Sequence, residues 1–139
     1  MWFIILFFLI NLKYLLLRLK RNYLKMENLS ILAQLIVSIS IIIVWIFRYE
    51  NIVIEFKDYG YPDLLRNIVG AAKISLATIL ILGIWYKELL FVSSLLMAFL
   101  MLCAQFSHFK AKNPIQKYIP SLFLLILCLF IAANNIGVI

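Results

Sequence analysis

One lysine stands near the middle of a long apolar stretch of this chain. Lys73 lies between Leu64 and Trp85, whereas most other charged residues lie at the edges of such stretches or between them. A lysine at the centre of a bilayer costs roughly 2.5–3.5 kcal/mol on insertion scales, so it needs a polar partner, a water-filled cavity or a functional role. We therefore predict that Lys73 lies in the functional interior of a membrane protein. The alternative is a lysine that burial keeps in its neutral form.

Polar and small side chains recur at helical spacing in three of the apolar stretches. They are Ser30, Gln34 and Ser38, then Arg66, Gly70, Lys73 and Ala77, then Ser94, Met97, Met101, Gln105 and His108. Each set lies on one face of a helix, so a bundle that turns the three faces inward encloses a small polar region. The predicted ligand pocket consists of Lys73, Gly70, Gln34, Gln105 and His108. The alternative for the serine and glutamine stripes is helix packing alone.

The partner of Lys73 is left open by the sequence. We expect Gln34 or Gln105, or a carboxylate of the connection that follows the first span, Glu50 or Glu55. His108 ends the third span, either as an interface residue or as a proton relay or ligand contact at the pocket mouth. Arg66 and Asp63 have the spacing of a local ion pair.

Chemistry beyond that pocket has few candidate residues. Cys103 and Cys128 each lie inside an apolar span, and we expect both to be small buried hydrophobic residues. One histidine cannot ligate haem through two imidazoles, and a zinc site would lack ligands, so no metal site is predicted. We find no Ser/His/Asp arrangement, glycine-rich phosphate loop or close carboxylate pair. We assign no catalytic residue and favour a chain that is not an enzyme by itself, without settling the point.

The composition requires a lipid environment. The chain has 139 residues, is 66% hydrophobic and has a mean hydropathy of +1.08, whereas soluble domains are about 45–50% apolar. We predict an all-α integral membrane four-helix bundle, with spans at about 29–47, 64–85, 89–106 and 119–139. The net charge of +7 comes from short segments between spans. These segments face lipid head groups, so no nucleic-acid partner is predicted.

The connections between spans differ in length. Trp85 to Glu88 is a tight turn that makes the second and third spans antiparallel neighbours. Between the first two spans, Ile52, Val53, Phe56 and Tyr59 predict a short amphipathic helix on the membrane surface. Pro120 fits the first turn of the last span.

The first 25 residues form a hydrophobic and basic extension. Residues 1–17 are apolar apart from Asn11 and Lys13, and four basic residues follow by position 25. The extension is either an additional short hydrophobic helix or an interfacial anchor. The alternative is a start-site artefact, with the natural start at Met26 and the four-span domain at 26–139.

The order of these features resembles the DoxX-like family of small four-helix membrane proteins. The resemblance rests on Gly60-Tyr61-Pro62, on the segment from Arg66 to Lys73, and on a third span ending in His108 before Asn113-Pro114 and Pro120. It covers roughly residues 26–139 and implies a membrane bundle in which Gly70 and Lys73 occupy a glycine-x-x-ionisable pattern. Many relatives carry glutamate at that last position, so an acid role does not carry over to Lys73.

The resemblance implies two kinds of role. The family's namesakes are membrane subunits of thiosulfate:quinone oxidoreductase, and other relatives are linked to redox-associated complexes or to membrane-protein assembly. We favour a non-catalytic membrane subunit or assembly factor with a membrane-protein partner. The alternative is a quinone-interacting subunit of an oxidoreductase complex, in which Lys73 or His108 hydrogen-bonds a quinone oxygen. In that role quinone is the only cofactor we expect, and the electron carrier belongs to the partner. We expect a multi-pass protein of a bacterial inner membrane, with the orientation left open.

Overall fold

The computed structural model describes residues 2–139, and the described residues form helices and connections without a strand. The helices are α1 (Trp2–Phe47), α2 (Tyr49–Asp58), α3 (Asp63–Leu82), α4 (Leu90–Lys110) and α5 (Ile115–Asn135), with a 3₁₀ turn at Lys87–Leu89. Four of them are long and apolar enough to cross a membrane: α1, α3, α4 and α5. The predicted all-α bundle of four membrane helices is confirmed.

The four membrane helices form a closed ring. α1 packs on α3 and α5, and α4 packs on α3 and α5, so each helix has two neighbours. Successive helices run in opposite directions. The tight turn Trp85–Glu88 requires this of α3 and α4, as predicted, and α1 and α3 pair in antiparallel order, with Trp45 at Gly70 and Ser38 at Ala77. One end of the bundle therefore carries the α1–α3 and α4–α5 connections, and the other carries the α3–α4 turn and the C-terminus of α5. We call these the lid end and the turn end.

The predicted stripes face the inside of the ring. Ser30, Gln34 and Ser38 of α1 are buried, and Ser38 Oγ donates a hydrogen bond of 2.9 Å to the Ala77 carbonyl of α3. Arg66 is also buried and donates to Asp63 Oδ1 at 2.6 Å, the predicted local pair. Polar atoms that cannot reach water inside a membrane protein need such partners, because an unsatisfied group costs several kcal/mol.

The two cysteines have different surroundings. Cys128 of α5 is fully buried in the core, as predicted, because its position faces the other three helices. Cys103 of α4 is exposed, so the prediction that it is buried is wrong. It lies two residues after the buried Met101, which rotates its side chain away from the bundle and towards lipid.

The N-terminal extension is continuous with the first span rather than a separate helix. α1 has 46 residues, which at 1.5 Å per residue makes a helix ~69 Å long. A hydrocarbon core of ~30 Å needs only about 20 of them. Between residues 9 and 25 every side chain is exposed, and Ser30 is the first buried side chain after them. The interpretations of residues 1–25 as an anchor or a start-site artefact stay predictions.

The short helix α2 covers the lid end. Its predicted apolar face is present, with Ile52 buried in the core and Phe56 packed against it. Contact with the bundle, rather than with the membrane surface alone, therefore orients this helix. Gly60, with φ of 73°, ends it in the left-handed region that glycine adopts at no steric cost. The Tyr61 N–H then bonds the Phe56 carbonyl at 2.9 Å, the 6→1 bond of a Schellman motif.

The last span begins earlier than predicted. α5 starts at Ile115, directly after Pro114, so Pro120 lies inside the helix rather than in its first turn. α4 ends in a second Schellman motif, in which the Asn113 N–H bonds the His108 carbonyl at 3.1 Å. Lys112 occupies the left-handed position of this motif, with φ of 52°. The motif folds Asn113 back towards His108.

Candidate functional site

Gly70 makes room for the indole of Trp45. A β-carbon at position 70 would lie 2.5 Å from Cζ3 and 2.8 Å from Cε3 of that ring, distances that real side chains do not tolerate. Trp45 itself is buried near the C-terminal end of α1. The small residue that the sequence analysis placed on the inner face of α3 is therefore a seat for an aromatic ring.

Lys73 lies one turn further along α3 and reaches the same ring. Its Nζ atom is 5.7 Å from the centroid of the Trp45 ring system, within the range of a cation–π interaction, worth about 0.5–2 kcal/mol according to desolvation. The Cα–Cβ bond of a helical residue tilts towards the helix N-terminus, which for α3 is the lid end. The lysine stem therefore carries the ammonium towards Trp45 and away from the centre of the membrane.

The glutamine partners predicted for Lys73 are wrong. Gln34 Nε2 donates to Ser30 Oγ at 3.1 Å, and Gln105 Nε2 donates to the Tyr118 carbonyl at 2.9 Å and to Ser121 Oγ at 2.7 Å. Among the described residues Lys73 makes no salt bridge, and its ammonium faces the indole ring of Trp45. Glu55 lies close enough to act on Lys73 electrostatically without pairing with it.

His108 belongs to a hydrogen-bonded group at the lid end. Tyr59 Oη lies 2.9 Å from His108 Nδ1, and Asn113 Nδ2 lies 2.7 Å from Tyr59 Oη and 3.0 Å from His108 Nδ1. These three residues, which we call the lid triad, come from three elements: the end of α2, α4 and the α4–α5 connection. Both Schellman motifs adjoin it, since Gly60 follows Tyr59 and Lys112 precedes Asn113.

The lid triad fixes the protonation of the imidazole. The Asn113 amide has two N–H groups, one for the Tyr59 oxygen and one for His108 Nδ1. The Tyr59 O–H, whose oxygen already accepts a bond, lies 2.9 Å from the same Nδ1 and shares the single lone pair of that nitrogen with the Asn113 donor. That nitrogen therefore acts as an acceptor, and the neutral ring carries its proton on Nε2, an assignment that follows from the network. Nε2–H makes no hydrogen bond to any residue of the described chain, so it is available as a donor.

Aromatic rings connect the lid triad to Trp45. Phe56 lies edge-on to Trp45 at 6.4 Å and to Tyr61 at 5.9 Å. Tyr59 then contacts Tyr61 at 6.0 Å and His108 at 6.0 Å, again edge to face. Such geometries suit the ring quadrupoles and stabilise each pair by about 0.5–1.5 kcal/mol beyond area burial. The lid end therefore has a continuous aromatic wall between Lys73 and His108.

Polar contacts also hold α2 and the segment that follows it against the bundle. Tyr61 Oη lies 3.1 Å from Ser107 Oγ, and because that serine donates to the Cys103 carbonyl, the tyrosine is the donor. Glu55 of α2 forms a salt bridge of 3.4 Å with Lys117 of α5. Burial raises the pKa of the Tyr59 phenol above its ordinary value, and the negative field of Glu55 adds to the effect. Tyr59 therefore stays protonated and able to donate.

The structure separates the five predicted pocket residues. Gly70 and Lys73 lie at Trp45, His108 is in the lid triad, and Gln105 is tied to α5 one turn below. Gln34 lies at the turn end, among Ser30, Gly83 and Asn135. A single pocket holding all five residues is therefore not present, although Lys73 and His108 are near enough to interact electrostatically. Among the described residues no cluster of three histidine, cysteine or acidic side chains gathers that could hold a metal ion.

Three residues of the site were not predicted from the sequence: Trp45, Tyr59 and Asn113. Trp45 and Asn113 were not among the predicted site residues, and Tyr59 was assigned only to the apolar face of a surface helix. A sequence signal was available for Tyr59, because Gly60 follows it and a glycine after a helix favours a turn that folds the chain back. Lys112, which takes the same conformation before Asn113, gives no such signal.

Fold and site together define a multi-pass, all-helical membrane protein with a polar, aromatic-lined lid end. The model of the DoxX-like family matches residues 29–131, and the chain belongs to this family. No curated protein and no solved structure matches the chain. The matched range contains the lid triad, Trp45, Gly70 and Lys73.

Proposed function

We propose that the chain is a non-catalytic membrane subunit or assembly factor, and that its partner is a membrane protein bound along the N-terminal part of α1. We call residues 7–25 of α1 the arm. The observation that carries the proposal is the exposure of the arm. Phe7 and Tyr14 are each 70% exposed and Leu16 is 58% exposed, although α1 already crosses a bilayer with its remaining residues.

The chemistry of the arm indicates what covers it. The apolar side chains that the structure describes in the arm point in all directions around the helix, and a helix in a protein gains most of its stability from packing of its apolar surface. Lys13, Arg18, Lys20, Arg21 and Lys25 add positive charge, and residues 1–25 contain no acidic residue. A partner that offers apolar side chains beside acidic ones complements both features.

Site-specific photo-crosslinking in cells tests this proposal. A photoreactive amino acid at Tyr14 or Leu16 is expected to join the chain to one protein, recovered in mild detergent. Ile126 of α5, which is 57% exposed outside the arm, serves as the matched apolar control. Replacing Lys20 and Arg21 by glutamate is expected to reduce the crosslink. Lipid adducts alone at all three positions would contradict a protein partner on the arm.

A quinone-interacting subunit is the second candidate, and the free Nε2–H of His108 favours it. A quinone oxygen accepts hydrogen bonds, and the nearby tyrosine rings offer faces for a planar head group. His108 lies 5.7 Å from Tyr118, ring centre to ring centre, and Lys73 supplies positive charge on the far side of the aromatic wall. When bound, quinone would supply the electron-accepting chemistry, and a partner would supply the electrons. The residues of this chain would hold and orient it.

Bound quinone can be measured directly. Protein purified in mild detergent is extracted and analysed by ultraviolet spectroscopy, with His108→Ala and Lys73→Ala beside it. Tyr86→Phe, which alters an exposed tyrosine at the turn end, is the control. The second candidate expects quinone in the wild type and the control, and a loss in both alanine variants. It fails if the wild type holds no quinone and Lys73→Ala leaves membrane redox activity intact.

A further inference from the structure

A separate polar cavity lies at the turn end. It has a volume of about 70 Å³ and lies between α1, the α3–α4 turn and the end of α5. Its polar wall is made by Glu27, Ser30, Gln34, Lys87, Asn134 and Asn135. Lys87 and Glu27 form a salt bridge at its edge and are 54% and 28% exposed, so the cavity opens at the membrane surface beside this pair.

Unused acceptors line this cavity. Gln34 is 1% exposed, its Nε2 donates to Ser30, and its Oε1 atom is buried without a hydrogen-bond partner. Asn135 Nδ2 donates to the Lys87 carbonyl at 2.9 Å, and Asn134 Nδ2 lies 3.5 Å from the Ile139 carbonyl. Both contacts are to backbone oxygens, so they fix which end of each amide is the donor. One of the two N–H groups of each amide is engaged, whereas the three amide oxygens accept no hydrogen bond from the residues that the structure describes.

We propose that this cavity binds a primary ammonium group, supplied by the ethanolamine head group of a membrane phospholipid. An ammonium has three donors and no acceptor, which matches a wall of unused oxygens. An unpaired buried carbonyl oxygen costs about 1–3 kcal/mol, so a donor at Gln34 Oε1 relieves a cost that the fold alone carries. Liquid water occupies about 30 Å³ per molecule, so the cavity has room for an ammonium and the methylene next to it.

Charge favours a zwitterionic lipid over a free cation. The chain has a net charge of +7, which repels an isolated amine from the protein surface. A phosphoethanolamine head group carries its own phosphate, and Lys87 at the cavity edge has ammonium hydrogens beyond the one directed at Glu27. The turn end also lies where α1, α4 and α5 reach the head-group layer. The phosphate would then rest near Lys87 while the ammonium enters towards Gln34.

Native mass spectrometry of the full chain tests the proposal. The protein is released from nanodiscs with equal amounts of phosphatidylethanolamine, phosphatidylcholine and phosphatidylglycerol. Choline has no N–H donor, so ethanolamine lipid is expected to be retained about tenfold over choline lipid, equivalent to about 1.4 kcal/mol. Equal retention of these two lipids would overturn the proposal without any variant being made. A separate arm adds ethylammonium chloride to protein in detergent and measures thermal unfolding. Stabilisation by ethylammonium without a lipid preference would overturn the lipid source.

Three variants locate the bound lipid. Gln34→Leu removes the buried acceptor and is expected to abolish the preference for ethanolamine lipid. Gln34→Glu keeps the shape, adds a negative charge, and is expected to increase the preference, which guards against a leucine variant that does not fold. Gln116→Leu, an exposed glutamine at the lid end, is the matched control and is expected to behave as the wild type. An unchanged preference in folded Gln34→Leu would place the lipid elsewhere and refute the site.

Discussion

Tyr59 Oη lies 2.9 Å from His108 Nδ1 as a donor, and this bond joins the end of α2 to the third membrane helix. The two residues are 49 positions apart in the chain, and Asn113 contacts both. The Asn113 N–H makes Nδ1 an acceptor, so the imidazole proton is on Nε2 and that donor remains free.

We expect Tyr59→Phe to change the state of His108 as well as stability. The loss of one hydrogen bond at a half-buried site should lower the free energy of unfolding by about 0.5–1.5 kcal/mol. The ¹⁵N chemical shifts of the imidazole should show the Nε2–H tautomer in the wild type and a changed Nδ1 shift in the variant, where Asn113 is the remaining donor to that nitrogen. Tyr86→Phe, at an exposed tyrosine, should change neither measurement. A wild-type ring protonated at Nδ1 would refute the assignment of donors in the lid triad.

Alkaline pH should weaken the lid through Tyr59. Burial, aided by Glu55, raises the pKa of this phenol in the folded state above the ordinary value of about 10. A folded state that holds a proton more tightly has its full advantage below the unfolded pKa, and loses it as pH rises through the folded pKa. The stability difference between the wild type and Tyr59→Phe should therefore be constant near pH 8 and shrink above pH ~10. Chemical unfolding at both pH values checks this, and a difference that grows above pH ~10 would be inconsistent with the sign.

Gly70→Ala should destabilise the bundle through Trp45. A methyl group 2.5 Å from the indole forces the ring or α3 to move, at a cost of about 1–3 kcal/mol. The Lys73 contact should weaken with it. Thermal unfolding of Gly70→Ala, Trp45→Leu and the double variant measures the coupling between the two positions. If Gly70→Ala costs as much in the Trp45→Leu background as in the wild type, contact with the indole is not the reason for glycine.

Lys112→Gly should stabilise the protein. Lys112 has φ of 52°, a conformation that costs a residue with a β-carbon about 1–2 kcal/mol, and its position after α4 is the one that glycine favours. Since the Asn113 bond to the His108 carbonyl depends on the same turn, the lid triad should persist. Lys110→Gly, in the last turn of α4, should instead destabilise by about 1 kcal/mol. Unfolding midpoints in one detergent compare the two, and a lower midpoint for Lys112→Gly would contradict this account of the turn.

The sequence predicts the spans and their inner faces well because hydrophobicity and the helical repeat are local properties. Ser30, Gln34 and Ser38 are buried as their spacing requires, and so is Gly70. The predicted pocket grouped residues by helix face and ignored how far each lies from the lid end of its helix. Gln34 lies 13 positions before the end of α1, ~20 Å from the lid end at 1.5 Å per residue. It therefore could not meet His108, which lies in the last turn of α4.

The lid triad was beyond such reasoning because its contacts depend on how separate elements dock. Tyr59 meets His108 only because Ile52 and Phe56 seat α2 on the bundle, and Asn113 joins them only through the turn after α4. The spacing of Gly70 and Lys73 placed them on one face of α3. The reason for both residues is contact with the ring of Trp45, which belongs to another helix. The helical repeat of one helix does not predict which residue of another helix it contacts.

The unbroken course of α1 has a mechanical consequence. The arm, Gln34 and Trp45 belong to one helix of 46 residues, so they move together as points on a single rod. A force that tilts the arm also tilts the membrane-spanning part of α1. The two ends of the helix then move in opposite directions. A partner that binds the arm would therefore also fix the position of the Trp45 ring next to Lys73, on the far side of the bilayer.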